Sequence, residues 1–224
     1  MEYFRPLNGA GEGHPSESLD RLRRWLARFA PRRLEGDRRA AVAVIFRPGT
    51  EGIEVLLIHR AEHPRDPWSG HIAFPGGRMD PEDQSTLAAA VRESDEEIGL
   101  DLGTEAVHLG RFSDLQAVAR GRRLGLIIEP FAFELRGSAS LACNHEVQEA
   151  FWLPLSFLTD WSHRSWLEHT IDGRIVRLPC YHWEGKVLWG LTLRILDEVI
   201  EILTGKTPTD WPSEMTTGSR NSAG

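Results

Sequence analysis

With 224 residues, 41% of them hydrophobic and 26% charged, the chain can bury one full core and has the balance of an ordinary soluble globular domain. A formal charge of −7 argues against general nucleic-acid binding, which needs a basic footprint. No apolar run approaches the roughly 18 residues of a membrane span, and the N-terminus lacks the basic-then-apolar layout of a signal peptide, so cytoplasm is the expected compartment.

Residues 1–16 are rich in Gly, Pro and Glu and read as an irregular segment. Leu19 through Phe29 repeats apolar residues at helical spacing with Arg23, Arg24 and Arg28 between them, which predicts an N-terminal helix within 17–36 packed on a main domain at 37–204. Its arginines could bind anions, but a solvated face is the preferred reading. Ala40–Phe46 and Ile53–Ile58 are short β-branched or apolar runs separated by Pro48-Gly49, which predicts a strand pair. Residues 59–82 form a long loop dense in Pro, Gly and charge, and loops that long inside a compact domain are usually functional. Farther on, Val107–Phe112, Leu124–Leu135 and Val147–Leu153 read as strands. Pro130 implies a kink or an edge, and Pro154 a helix start. Cys143 and Cys180 are too few for a disulfide framework or a cysteine metal site. Trp189, Leu193, Leu196, Ile200 and Leu203 predict a closing helix whose apolar stripe serves the core or a homodimer contact. Residues 205–224, rich in Thr, Ser, Gly and Pro, read as a disordered tail.

The densest chemistry lies between Gly76 and Leu100. Gly76-Gly77-Arg78-Met79-Asp80 is followed by a helix-like run ending Arg92-Glu93-Ser94-Asp95-Glu96-Glu97-Ile98-Gly99-Leu100. At about 100° per residue, Glu93, Glu96 and Glu97 fall within about 100° of one another. Leu87, Val91, Ser94 and Ile98 share a roughly opposite face within about 60°. Three carboxylates this close repel one another unless a cation sits among them, and hard oxygen ligands suit Mg²⁺ better than zinc.

These residues resemble the signature of the Nudix hydrolases, a glycine loop followed by a helix reading R-E-U-x-E-E-x-G-U with U bulky and apolar. Arg92, Glu93, Glu96, Glu97, Gly99 and Leu100 fill their slots. The spacing from Gly77 to Arg92 is one residue longer than the family's, Asp83 or Gln84 stands in the middle glutamate slot, and Ser94 occupies a slot that is usually apolar. The coenzyme A diphosphatase branch is similar in carrying the longer spacing after Phe-Pro-Gly-Gly, here Phe74-Pro75-Gly76-Gly77 followed by Asp80-Pro81-Glu82-Asp83. The branch's upstream pattern is met by Leu56, Leu57, Arg60, Ala61, Arg65, Gly70 and Phe74. Ile58 replaces a threonine, and the gap from Arg65 to Gly70 is one residue too long.

The resemblance implies an α/β fold, a three-layer α/β/α sandwich around a mixed sheet. It implies a Mg²⁺-dependent hydrolase, with Mn²⁺ as a substitute, that cleaves a diphosphate linkage in a small molecule. Coenzyme A or acyl-coenzyme A leads, with 4′-phosphopantetheine and adenosine 3′,5′-bisphosphate as products. ADP-ribose or NADH is the alternative, and a non-catalytic nucleotide-binding module is a more distant one. Glu93, Glu96 and Glu97 would be the metal ligands, aided by the Gly77 carbonyl, and Arg92 would orient them. The general base stays open between a motif glutamate and Glu146 or Glu149, with Glu146 favoured over Glu149. Arg60, Arg65 and Arg78 are candidates for phosphate contacts. Trp68 and Phe74 could stack on a base or anchor the loop, and His71 reads as loop-orienting.

Overall fold

The computed structural model describes residues 15–64, 68–119, 122–171, 173–208 and 211–212. Arg65, the start of the irregular N-terminal segment and most of the tail expected to be disordered lie outside them.

Helix α1 (Pro15–Leu26) buries Leu19, Leu22 and Leu26 as their spacing predicts. It stops well before residue 36, because Pro31 disfavours helical backbone at the residue ahead of it and cannot donate to a helical ladder. Its Arg23 is not merely solvated, since its Nε donates to Glu134 at 2.6 Å. Strands β1 (Arg38–Gly49) and β2 (Gly52–Arg60) form the expected hairpin, with Phe46 opposite Val55 and Gly49 opposite Gly52.

The two strands then diverge, and the glycine loop wedges between them. Strand β3 (Ile72–Ala73) pairs with β2 at Ile58 and His59, while β4 (Gly76–Arg78) pairs with β1 from Ala40 to Val42. The Ala43 N–H donates to Pro75 O at 2.8 Å and closes the wedge. What reads in the sequence as one long loop is therefore a pair of short strands pinned inside the sheet.

Helices α2 (Thr86–Ile98) and α3 (Leu102–Glu105) lead into β5 (Ala106–Arg111), β6 (Leu115–Ala119) and β7 (Arg122–Leu135). Strand β7 runs parallel to β1 through the centre of the sheet, so Pro130 is not at an edge. The ring is tolerated because β6 pairs with β7 up to Ile128 and β5 pairs with it from Phe131, leaving Pro130 between the two ladders where its missing N–H is not needed. Strand β8 (Val147–Pro154) covers the other edge of β2 and runs into α4 (Leu155–Thr159) at Pro154, as expected. The eight strands make one mixed sheet in the order β3-β2-β1-β7-β5, with β4 beside β1, β6 beside β7 and β8 beside β2.

Side chains alternate across β1, and both faces are covered. Ala41, Ala43 and Ile45 pack with Ala89, Ala90 and Ile98 of α2, while Val44 and Phe46 pack with α1 and the closing helix. The result is the expected α/β/α sandwich with a mixed sheet. A second sheet of β9 (Arg164–Ile171), β10 (Arg174–Trp183) and β11 (Lys186–Trp189), in the order β11-β10-β9, precedes the closing helix α5 (Gly190–Thr204). Arg164 forks onto Asp197 at 2.9 and 3.1 Å and ties this sheet to α5. Among the described residues no helix is long and apolar enough to cross a membrane.

Candidate active site

Helix α2 carries the acids, and its ends are set by local chemistry. Ser85 caps the start by accepting the Ala88 N–H at 3.1 Å. Gly99 ends the helix in the left-handed region with φ of 67°, its N–H returning to Asp95 O. Ser94, the hydroxyl in an apolar slot, is buried because its Oγ donates to Ala90 O at 2.8 Å.

The three acids differ in exposure. Glu97 is only 2% exposed, Glu93 is half-buried, and Glu96 alone remains open to solvent. They face a cleft of about 580 Å³ that runs from α2 across the glycine loop to α5. The Gly76 N–H donates to Glu97 Oε2 at 2.8 Å, and Arg60 Nη1 lies 3.5 Å from Glu97 Oε1. Glu93 sits against Gly77, where a Cβ would fall 2.2 Å from Oε1. Gly76 is the more constrained, because at φ of 149° a Cβ there would meet backbone, Ala41 O at 2.2 Å and Val42 Cα at 2.6 Å. Gly76 is therefore required by the fold, whereas Gly77 is needed only for the position that Glu93 holds.

Arg92 organises the group. Its Nε and Nη2 fork onto Asp83 at 3.1 and 2.9 Å, and Nη2 also donates to Arg78 O. Its Nη1 spans Glu93 at 3.0 Å and Glu96 at 3.2 Å. Asp83, which sequence spacing offers as a stand-in for a glutamate, instead grips this guanidinium. The hydrogen bond from Arg92 holds its carboxyl below the usual range. Burial raises Glu93 above its ordinary value and pushes Glu97 up to about 7, with the charge of Glu146 adding to both.

Arg60, Arg78 and Glu146 all line the cleft. The Glu146 backbone is fixed by its N–H to Asn144 Oδ1 and its carbonyl to the Ala61 N–H, both 2.8 Å. Phe74 borders the cleft, but its side chain is buried in the main core, so it anchors the loop instead of offering a free face to a substrate. His71 orients the loop as expected, its N–H bonded to Trp68 O and its carbonyl to the Arg60 N–H, both at 3.1 Å. The far wall is made by Leu126, Ile128, Trp189, Leu191 and Ile195. The sequence places the first two on a strand and Trp189 on the closing-helix stripe, where it instead ends β11, and gives no sign that any of them faces the cleft.

The donor set fits a hard divalent cation. Buried carboxylate oxygens lie beside a glycine backbone, mutually repelled and partly deprived of water. Their side chains are turned to Arg92 and the Gly76 N–H, and among the described residues no three acidic, histidine or cysteine side chains converge as one ligand group.

A mixed-sheet sandwich with glutamates set against a paired-glycine loop defines a class, and comparison with known proteins agrees. The NUDIX domain pattern matches residues 36–172, and the chain belongs to the Nudix hydrolases, enzymes that generally use divalent metal ions. Over 141 residues it is 34% identical to the Caenorhabditis elegans protein named peroxisomal coenzyme A diphosphatase ndx-8, covering 61% of this chain but only 58% of that one. It is 31% identical over 175 residues to the uncharacterized Nudix hydrolase NudL of Photorhabdus laumondii subsp. laumondii, 76% of this chain and 88% of that protein. Among solved structures, a Caenorhabditis elegans Ap4A hydrolase binary complex matches with a TM-score of 0.46 and 25% identity over 55% of this chain and 83% of that one.

Proposed function

We propose that the protein is a Mg²⁺-dependent hydrolase of a diphosphate linkage, with coenzyme A or an acyl derivative as the leading substrate. The observation that carries this reading is that Glu93, Glu96 and Glu97 line one cleft with the Gly76-Gly77 loop, Glu97 accepting the Gly76 N–H and arginine side chains lying beside the acids. The resemblance of Phe74-Pro75-Gly76-Gly77 and the acidic turn to the coenzyme A branch, and the name of the Caenorhabditis elegans relative, support the substrate.

Glu93, Glu96 and Glu97, with the Gly77 carbonyl, would hold the metal. When bound, the ion supplies charge against the diphosphate oxygens and lowers the pKa of water. Arg92 keeps Glu93 and Glu96 aimed while the ligand set forms. Arg60 and Arg78 line the approach and would meet the phosphates, as would Arg65 on the resemblance. Glu146 is our choice of base: it would take a proton from water as oxygen bonds to phosphorus and the bridging P–O bond breaks.

The test incubates the full chain and Mg²⁺ with coenzyme A, dephospho-coenzyme A, ADP-ribose and NADH, and identifies products by mass. Coenzyme A should give 4′-phosphopantetheine and adenosine 3′,5′-bisphosphate, and Arg60→Ala should lose discrimination against dephospho-coenzyme A. Equal turnover of coenzyme A and dephospho-coenzyme A by the wild type removes the substrate assignment, and no turnover of any compound removes the activity.

A further inference from the structure

We propose that the end of β11 and the start of α5 form a second subsite of the cleft, one that takes an uncharged apolar arm attached to the diphosphate, with Leu191 as its specificity-determining residue. This rests on reading the acid end as the diphosphate site.

The cleft has two ends of unlike chemistry. Glutamates and arginines of α2 and the glycine loop line one end. Leu126 and Ile128 of β7 and Leu191 and Ile195 of α5 line the other, with Trp68 and Trp189 at its margin. Strand register relates the two ends. Ala40 of β1 pairs with Arg78 on one side and Ile128 on the other, so Ile128 and Arg78 lie two strand spacings apart, about 10 Å. A group joined to a diphosphate at the glycine loop reaches the apolar wall only if it extends that far.

The spacing between the ends is rigid. Thr192 Oγ1 donates to Ile72 O at 2.9 Å, bonding the first turn of α5 to the strand that leads into the glycine loop. The rings of Trp189 and His71 lie 5.0 Å apart on the same boundary. Because the Thr192 hydroxyl is already engaged, the α5 part of the wall presents Leu191 and Ile195 without a polar group to pair with an incoming one. A hydrogen-bonding group seated on this wall would lose water without replacement, whereas a hydrocarbon segment loses nothing. Coenzyme A therefore fits only with the dimethyl-bearing segment of its arm against Leu191 and Ile195. The acids lie within the family match at residues 36–172, but β11 and α5 lie beyond it.

The test uses the full chain with Mg²⁺ and ADP esters that share one phosphate head but differ in arm: methyl-ADP, hexyl-ADP and ADP-ribose. The wild type should favour hexyl-ADP over methyl-ADP by about tenfold in kcat/KM, mostly through KM, and Leu191→Gln should erase most of that preference. Ile175→Ser, on the exposed side of β10, serves as a control and should leave the preference intact. A preference for methyl-ADP or ADP-ribose, or one that survives Leu191→Gln in a folded variant, overturns the proposal. Calorimetric binding of hexyl-ADP and methyl-ADP without Mg²⁺ tests the subsite apart from turnover. If hexyl-ADP binds about tenfold tighter and Leu191→Gln removes the difference, while with Mg²⁺ neither the ADP esters nor the coenzyme A panel is hydrolysed, the hydrolase reading fails and the subsite stands. Equal binding of the two esters overturns the subsite whatever the turnover.

Discussion

A Cβ atom on Gly77 would lie 2.2 Å from Oε1 of Glu93, so the carboxylate occupies the space that any other residue's side chain would need. Gly77 has no positive φ, so alanine is acceptable to the backbone and unacceptable only to Glu93. Gly77→Ala should therefore leave the fold within a few degrees of its melting temperature while kcat falls about 100-fold, the size of effect that a misplacement of about 1 Å produces. Thermal melting alongside steady-state kinetics checks this. Activity within threefold of wild type would show that the Glu93 position is not critical.

As a proposed metal ligand, Glu97 would link proton and metal. Burial raises its pKa to about 7 from an ordinary 4.5, so without metal the folded state holds a proton that the unfolded chain releases. For a carboxyl raised in the fold, stability is highest below the unfolded pKa and declines as pH rises through the folded one. Metal-free protein should thus lose stability between about pH 4.5 and pH 7, by an amount on the order of 3 kcal/mol. Glu97→Gln should flatten that decline. Mg²⁺ needs the carboxylate, so its binding at pH 6.5 should release protons, read by calorimetry in buffers of different ionisation enthalpy. Identical heats in all buffers would contradict the assignment.

The parts of this site that could be read from the chain are those that obey a local period. Glu93, Glu96 and Glu97 declare themselves by helical spacing, the β1–β2 hairpin by two apolar runs around Pro48-Gly49, and α5 by its stripe. Asp83 was visible as one filler of a glutamate slot and as part of the acidic turn but not as the partner of Arg92, which lies nine residues away across a turn with no periodicity to join them. Strand β9 stayed hidden because Arg164–Ile171 does not alternate polar with apolar side chains, and every one of its residues is at most half-buried. Leu191 and Ile128 share a cleft with Arg92 only through the tertiary arrangement of β7 and α5, which local spacing does not encode.

Asp83 and Arg92 act as one unit. The planar guanidinium makes a fork that neither an amide partner nor a lysine reproduces. Asp83→Asn and Arg92→Lys should each lower kcat about tenfold with little change in KM, since neither group is placed to bind the substrate's arm. The double variant should be scarcely worse than either single, because the second change removes a contact already lost. Multiplicative losses in the double-mutant cycle would show the two residues working separately.

Glu129 fixes the end of the acid-bearing helix. Nearly buried on β7, it accepts from Arg39 at 2.5 Å, Arg111 at 2.6 Å and Thr86 Oγ1 at 2.9 Å, and Thr86 is the first residue of α2. Burial opposes its ionisation, but the bonds from Arg39 and Thr86 and the charge of Arg111 prevail and hold the carboxyl below its ordinary range. A depressed carboxyl stabilises the fold above its unfolded pKa, and that stability disappears as pH falls through the folded value. Glu129→Gln removes one of the two carboxylates that Arg39 and Arg111 share and leaves them Asp114 alone, at a cost of about 3 kcal/mol. For a chain of this size that lowers the melting temperature by about 10 °C at neutral pH, with the gap to wild type closing in acid. Because the same residue anchors Thr86, kcat should fall with it, whereas a helix held by Ser85 alone would lose stability and keep its rate.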